Sequence, residues 1–284
     1  MPTGRGFGRR VGLWAVWLAL VAAPVPARSA GEPDRFTLLF EAGPDFYRYE
    51  ETGEREFAGL ETEWADVALR VSEEARYRTP IDIVSLLRFS FLTSAEDTET
   101  NNVGSPPTEM RIAYFFTLQP GLQYELRPWS WLVVAPEFVW DLDWYLQVRE
   151  TEDAGDVDES VFWQGPAPGL EAVWLVCERF GVGLGYRHSF LIDVDVSNSF
   201  AEGLGFGDFS TEGERDVVQL RALGRINRRW STSIGYRFES DRIDASDTRR
   251  RTIVGPGGPQ TVQIQFPRND HTIHGVTFSL EARF

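Results

Sequence analysis

Several acidic residues and one histidine of the chain stand at spacings that could support acid–base chemistry. The motifs Asp141-x-Asp143 and Asp193-x-Asp195 each separate two carboxylates by one residue, and His271 directly follows Asp270. In an extended chain, residues i and i+2 point to the same side, so each acidic pair could share a proton or activate a water molecule. Asp270 and His271 would point to opposite sides and could not form an acid–base couple. Such carboxylates are more often ion-paired or solvated, and the sequence predicts no catalytic residue.

The other residues whose side chains could take part in catalysis or bind a metal do not combine into a site. His188 and Ser189 are neighbours, so in a strand they face opposite sides and cannot form a nucleophile–base bond. The glycines of Gly203–Gly207 follow no strand-to-helix pattern, and the single cysteine, Cys177, cannot form an internal disulfide. No Cys/His ligand spacing is present. The sequence therefore predicts no metal site and no bound cofactor.

These residues need a framework, and the segment 129–149 indicates which one. Every even position in 132–148 is apolar, whereas the odd positions from Glu137 onward are polar apart from Val139. Only a period of two produces this pattern, so the segment is predicted to be a strand with one apolar and one polar face. Its length of about 20 residues, against roughly 5 or 6 for a typical soluble strand, is characteristic of a membrane barrel wall.

Nine further segments show strand patterns, the first of them with a break at Gly43-Pro44. Short links alternate with long ones, as the two rims of a membrane barrel require, and the strand count is even. The predicted fold class is therefore a ten-stranded antiparallel up-and-down transmembrane β-barrel. The predicted strands are 36–51, 57–72, 81–93, 110–126, 129–149, 161–177, 180–196, 216–227, 230–243 and 271–284.

Matching apolar residues across hairpins predicts where three of the short turns are centred. Centres at Arg179 and Arg228 place apolar residues opposite apolar ones on both sides of each turn. A third centre, at Pro128, would place Pro120 opposite Pro136. Because each proline lacks a donor for the ladder, this register predicts a shared bulge or kink.

The apolar faces are predicted to point outward, toward lipid. They carry bulky rings such as Trp140 and Phe278, which a narrow interior could not hold, and they include Ile112, Val194 and Val196 near strand ends. The opposite faces mix small residues with charges of both signs, and unpaired buried charges would cost several kcal/mol, so an ion-paired lumen is expected. The expected pairs join Arg70, Arg88, Arg111, Arg187, Arg221, Arg225 and Arg237 with Glu137, Asp141, Glu171, Glu239 and Glu281.

Charge and the amino-terminal segment restrict the location and partners. The net charge is −15 and no lysine is present, which excludes nucleic acid as an expected partner. Residues 1–30 combine a basic start, an apolar run too short to span a membrane, and small residues, so they are predicted to be a secretory signal peptide. They contain four arginines and no acid, so their removal would change the net charge to −19. Residues 31–284 are then expected to form the barrel, as a monomer.

The last strand carries a further signal. It ends at Phe284, with Leu280, Phe278 and Val276 at alternate positions before it. This end resembles the carboxyl-terminal signal of bacterial outer-membrane β-barrel proteins, although Ala282 stands where that class often has a larger apolar residue. The resemblance implies localisation in the outer membrane, contact with its lipid and lipopolysaccharide, and recognition of the last strand by the barrel-assembly machinery. It identifies no subfamily.

Within this class, the favoured hypothesis is a structural or surface-exposed barrel, or a narrow passive pore. The alternative is a lipid-acting hydrolase or one like the omptin proteases, which have ten strands, acidic pairs and a His–Asp couple at the outer rim. Their Asp-x-His spacing is absent here. A soluble ligand-binding barrel with inverted faces is a third hypothesis.

Acidic loops such as 150–159 are expected to be solvated or to bind divalent cations that bridge to lipopolysaccharide, and Arg249–Arg251 could meet lipid phosphates.

Overall fold

The structure is a computed structural model that describes residues 35–53, 59, 61–94, 97–101, 108–150, 157–255 and 258–284. The predicted signal peptide, residues 1–30, lies outside these ranges. Residues 35–283 form one compact unit, and strands make up most of it. In the described ranges, no helix has the length and apolar character needed to cross a membrane.

The described part of the chain contains ten long strands, four short strands (β4, β6, β12 and β13) and one short helix. In chain order the elements are β1 (Phe36–Thr52), β2 (Glu61–Arg78), β3 (Ile83–Ser94), β4 (Asp97–Asn101), β5 (Thr108–Tyr124), β6 (Leu126–Trp129), β7 (Leu132–Glu150), β8 (Val157–Cys177), β9 (Phe180–Asn198), α1 (Ser199–Gly203), β10 (Phe209–Arg225), β11 (Trp230–Ile243), β12 (Arg249–Gly255), β13 (Gly258–Ile264) and β14 (Arg268–Arg283).

The ten long strands close into a ring of antiparallel neighbours. Strand β1 pairs with β2 on one side and with β14 on the other, and β2–β3, β3–β5 and β5–β7 pairings continue the wall. The remaining long strands pair with their neighbours in chain order. Because each long strand is paired on both sides, the backbone groups of the wall are hydrogen-bonded within the protein, as a hydrocarbon environment demands. The predicted fold class is confirmed.

The two rims of the barrel differ. We call the end with the turns at residues 79–82, 130–131, 178–179 and 226–229 the turn rim, and the opposite end the loop rim. The loop rim carries α1 and the hairpin of β12 and β13, which pair along their whole length. This asymmetry is the one that the alternating link lengths predict.

Two of the three predicted turn centres are wrong. Strand β6 continues beyond Pro128 and pairs Trp129 with Leu132, so the chain turns at residues 130–131. Residues 114–123 of β5 therefore pair with residues of β7 four positions later than the Pro128 centre predicts, so that Leu122 pairs with Phe138. Pro120 and Pro136 are then not opposed, and the predicted shared kink is not formed. At the β8–β9 turn, Cys177 pairs with Phe180, and a bulge between Leu175 and Cys177 adds a further residue, so the register differs by two residues from that of the Arg179 centre. The register centred on Arg228 is confirmed.

The predicted break in the first strand is also wrong, because β1 runs without interruption through Gly43 and Pro44. A Cβ atom on Gly43 would lie 1.8 Å from the carbonyl oxygen of Val276 on β14. Only glycine permits this close approach of the two backbones. The pairing of β1 with β2 is continuous through both residues, which holds the strand together there.

The apolar side of the wall faces outward, as predicted. Phe138 and Phe278 are 52% and 60% exposed, whereas the alternate residues Asp141 and Asp143 are fully buried. The soluble-barrel hypothesis, which requires the opposite orientation, is therefore wrong. On β9 the outward apolar stripe runs over residues 180–192, or about 28 Å along the barrel axis at roughly 3.3 Å per residue and a tilt near 45°. This height agrees with the apolar band of about 25 Å expected for a membrane barrel.

Above this belt, the faces of β9 exchange. Two residues of β9 face one residue of β10 next to Leu191, which is a β-bulge. The extra residue inverts the alternation, so Val194 and Val196 are buried inside the barrel and Asp193 and Asp195 are exposed on its outer wall. The prediction that these valines face lipid, and these aspartates the lumen, is wrong for this reason.

Strand β5 also contains a β-bulge that exchanges its faces. Its register with β7 shifts between Ile112 and Tyr114, and Ile112 is fully buried, so the prediction that it faces outward is wrong. Below each bulge the wall is apolar outside and polar inside. On β9 the wall above the bulge has the arrangement of a water-soluble barrel, apolar inside and polar outside. The bulges therefore lie where the strands leave the membrane.

A charge placed on the outer wall should distinguish the two zones of β9. We expect Leu184→Arg, within the belt, to lower the free energy of unfolding by about 2–3 kcal/mol, because arginine there must lie in hydrocarbon. The matched variant Asp193→Arg, above the bulge, should change it by less than about 1 kcal/mol. Denaturant titration of the barrel refolded in vesicles measures both. Equal losses in the two variants would contradict the assigned belt.

Candidate functional site

The lumen next to the turn rim contains a network of ion pairs around a small cavity. Arg88 donates two hydrogen bonds to the Glu137 carboxylate, at 3.1 and 2.7 Å, and a third to Glu74. Arg187 lies 3.6 Å from Glu137, and Arg221 pairs with Glu171 on β8. The cavity among these residues measures about 90 Å³, room for roughly three water molecules.

Arg215 occupies the middle of the barrel and joins carboxylates from opposite parts of the wall. Its guanidinium group donates to both oxygens of Asp241 on β11, at 2.7 and 3.1 Å, and to Asp143 on β7 at 3.0 Å. Asp141 lies 3.9 Å away and accepts bonds from Gln119 on β5 and Ser189 on β9, at 2.8 and 2.5 Å. The Arg215 side chain is 1% exposed, so these bonds form in a nearly dry interior.

A second group of charges completes this middle layer. Arg70 on β2 donates to Asp45 on β1 at 2.5 Å and lies 3.6 Å from Glu239 on β11. Glu239 also pairs with Arg237 and lies 3.4 Å from Arg215. Side chains from β1, β2, β5, β7, β9, β10 and β11 are therefore linked across the lumen at this level.

We call the middle layer around Arg215 the charged layer. Above it, toward the loop rim, aromatic rings surround His271 of β14. The imidazole centroid lies 4.9 Å from the ring of Tyr49, 5.6 Å from Tyr47, 5.7 Å from Tyr145 and 6.5 Å from Trp163. Neither imidazole nitrogen has a hydrogen-bond partner among the described residues. The histidine therefore lies in an aromatic cage rather than in a proton-transfer chain.

The cage is closed from above by the segment that follows β9. We call α1, residues 204–209 and the β12–β13 hairpin the cap. Its residues Phe206 and Phe209 belong to the same buried apolar cluster as the cage, as does Phe266. Arg249 of the hairpin stacks over the Phe209 ring at 4.7 Å and donates to the Gly207 carbonyl oxygen at 3.0 Å. Arg249 thus fastens the hairpin to the rest of the cap, and Arg251 does the same by donating to the Gly205 carbonyl oxygen.

The acidic residues considered for catalysis are distributed over both faces. Asp141 and Asp143 come together with Asp241 but are engaged by Arg215. Asp193 accepts a bond on the outer wall from Gln164 at 2.7 Å. Asp270 points away from His271 and lies 2.9 Å from Arg268, so the predicted separation of Asp270 from His271 is found.

The other two histidines lie on the outer wall. His188 Nδ1 lies 3.0 Å from an Asp216 oxygen that also accepts a bond from Tyr186, and Ser189 points to the lumen, as neighbours on a strand must. His274 lies 2.6 Å from the Tyr236 hydroxyl. These polar groups satisfy one another at the upper part of the lipid-facing wall.

Most of the predicted lumen pairs form. Arg70, Arg88, Arg187, Arg221 and Arg237 each have at least one carboxylate partner in the lumen. The prediction that Arg225 pairs with an acid in the lumen is wrong, because its side chain is exposed at the end of β10 and donates to the Asn227 carbonyl oxygen. The Arg111 side chain lies outside the described residues. Glu281 pairs with Arg283, at 2.5 Å.

The sequence reasoning missed Arg215, the residue with the most partners in the middle layer. It falls in a stretch that the sequence assigns to a loop, because the predicted strand begins at residue 216, whereas β10 begins at Phe209. The alternation of the strand could have indicated its position, because Arg215 lies on the same side of an extended chain as the odd-numbered residues Val217, Gln219 and Arg221. Asp45 was missed as a partner although it lies within a predicted strand, and Glu74 was missed because it lies two residues beyond the predicted end at residue 72, whereas β2 continues to Arg78.

No group of three or more His, Cys, Asp or Glu side chains in the described ranges is arranged to hold a metal ion. The charged layer can hold the wall together and block passage along the axis. For hydrolysis it would have to expose Asp141 or Asp143 to a substrate, and both are fully buried.

A closed ten-stranded wall with an outward apolar belt, short turns on one rim and longer loops on the other is the architecture of outer-membrane β-barrel proteins. Among solved structures, the outer membrane protease OmpT from Escherichia coli aligns with a TM-score of 0.64, covering 91% of this chain and 99% of that chain at 9% identity. This degree of similarity shows a shared fold. The predicted outer-membrane barrel class is confirmed at that level.

Two further matches have lower scores. The translocator domain of the autotransporter NalP from Neisseria meningitidis has a TM-score of 0.45 at 12% identity and covers 97% of this chain and 96% of that chain. The toluene transporter TodX from Pseudomonas putida has a TM-score of 0.34 at 13% identity and covers 94% and 93%. Scores below 0.5 add nothing to the fold assignment. No family model matches the chain, and no curated protein matches it in sequence.

Removal of the central guanidinium should destabilise the barrel strongly. We expect Arg215→Met to lower the free energy of unfolding by about 3–5 kcal/mol, because Asp143 and Asp241 would remain buried without their partner. Arg242→Met removes an arginine that is 48% exposed and should cost less than about 1 kcal/mol. Denaturant titration of the refolded proteins measures the difference.

A rescue variant separates charge from packing. Adding Asp143→Asn and Asp241→Asn to Arg215→Met should recover part of the lost stability, because the uncompensated charges are removed. A triple variant less stable than Arg215→Met alone would show that packing, and not charge pairing, is the main contribution of Arg215.

Proposed function

We propose that the protein is a closed outer-membrane barrel with a structural or surface-exposed role, and that its lumen does not conduct. The observation that carries this proposal is the layer formed by Arg215, Asp141 and Asp143, whose side chains are essentially inaccessible to solvent. A path for ions would have to break this layer, the aromatic cage and the cap in succession. Each broken pair would leave a buried charge without its partner.

Localisation in the outer membrane is supported by the height of the apolar belt and by the two different rims. The apolar side chains of β14 that resemble the assembly signal do face outward, since Phe278 and Leu280 are exposed on the wall. We therefore extend the proposal to two partners. The barrel-assembly machinery would recognise the strand that ends at Phe284, and lipid and lipopolysaccharide would cover the belt.

Conductance measurements test the closed lumen directly. We expect the refolded barrel in a planar bilayer to show no current steps above background, because the charged layer spans the lumen. Regular steps would favour the narrow-pore hypothesis. Proper folding of the same sample is checked by its shifted mobility on an unheated gel.

Cysteine labelling provides a second test. Because Cys177 is the single native cysteine, Cys177→Ser supplies a background without thiols. In that background, Ser189→Cys, fully buried beside Asp141, should not react with a water-soluble thiol reagent, whereas Ser210→Cys on the exposed outer wall should react rapidly. Rapid reaction at position 189 would contradict a closed lumen.

The hydrolase alternative has less support, because its acids are bound by Arg215 and His271 has no carboxylate partner in the described structure. It is tested by peptidase and phospholipase assays of the refolded barrel, with Asp143→Asn as the matched variant. Activity in the native protein that disappears in this variant would replace the closed-barrel proposal.

A further inference from the structure

The turn rim carries a group of arginines that the closed-barrel proposal does not use. Arg179 lies in the β8–β9 turn, Arg225 ends β10, and Arg228 and Arg229 lie in the β10–β11 turn; all four side chains are exposed. The backbone N–H of Arg225 donates to the Arg179 carbonyl oxygen at 2.8 Å, so the two turns are neighbours. We call these four residues the basic arc.

The charge of the basic arc is not neutralised by neighbouring acids. Within the described structure, Arg179, Arg228 and Arg229 form no ion pair, and the Arg225 side chain donates to a backbone carbonyl oxygen. Glu178 is the acid adjacent to the arc in sequence. Four positive charges are therefore exposed together in a chain whose net charge is −15.

Exposed arginines on the other rim behave differently. Arg48 lies 2.8 Å from Glu50 and 2.9 Å from Glu63, and Arg242 lies 3.2 Å from Glu214. Their charges are compensated by the acidic surface around them. The basic arc therefore differs from these arginines, because no carboxylate lies close enough to compensate its charges in the described structure.

The basic arc lies at the edge of the apolar belt. Val176 and Ile226, which are 68% and 60% exposed, stand three and two residues before Arg179 and Arg228, and the exposed rings of Phe180 and Trp230 follow the two turns. Apolar and aromatic side chains at this position reach into the acyl and headgroup boundary. The guanidinium groups beside them are therefore at the depth of lipid phosphates.

We propose that the basic arc binds the headgroups of anionic glycerophospholipids in the leaflet that faces the periplasm. Short turns face the periplasm in this class of barrel. The planar guanidinium group can donate two parallel hydrogen bonds to a phosphate, and a headgroup without an ammonium group leaves no positive charge to oppose the arc. The proposal requires the barrel to lie in a membrane, but it does not depend on whether the lumen conducts.

Native mass spectrometry of the refolded barrel in a neutral detergent tests this binding. Phosphatidylglycerol and phosphatidylcholine with identical acyl chains serve as the anionic and zwitterionic probes. We expect the native protein to retain phosphatidylglycerol at least about tenfold better. The variant R179Q/R228Q/R229Q should lose most of this preference, because each basic residue near an anionic surface contributes roughly a fivefold factor.

The matched control R48Q/R242Q/R250Q removes the same charge from the loop rim and should keep the preference. Shifted mobility on an unheated gel verifies folding, and the three single variants replace the triple variant if it does not fold. Equal binding of the two lipids by the native protein would overturn the proposal, as would an equal loss in the control. Displacement of the lipid by millimolar inorganic phosphate would show a simple anion site and would also overturn it.

Discussion

The hydrogen bonds between β1 and β14 are the interaction on which the rest of the structure depends. They join the first and last long strands and leave no long strand with an open edge in the described wall. In hydrocarbon an unpaired backbone group has no water to bind, so the wall must be closed before any side chain can be placed. Once closure defines an axis, the alternation of each strand divides its residues between lipid and lumen. The charged layer and the basic arc follow from that division.

The lumen is filled in two different ways along its length. Within the belt, buried charges pair between strands that are far apart in sequence, as Arg215 does with Asp143 and Asp241. Above the belt, the same axis is occupied by the aromatic cage and the cap. Dispersion and burial hold the upper part together, whereas ion pairs and hydrogen bonds hold the lower part. The protein therefore combines a membrane barrel and the core of a soluble barrel in one continuous wall.

The sequence allowed the fold class, the strand number and the orientation of most faces to be predicted, because a period of two sustained over such long segments is specific to extended strands. It failed at Ile112, Val194 and Val196, because a bulge adds one residue without any mark in composition. It also failed to find Arg215 as the centre of the lumen. Ion pairs across a barrel depend on register and strand order, and the error of four residues at the β6–β7 turn shows how weakly one hairpin specifies its own register.

The bulge in β9 has a consequence for how such a wall can change over generations. One additional residue reverses the solvent met by every side chain beyond it, so the position of the water surface is encoded in residue count and not in hydrophobicity. A lineage could lengthen or shorten the part of the strand above the bulge by pairs of residues without disturbing the part below. A change by one residue would instead turn aspartates toward the cage and valines toward water.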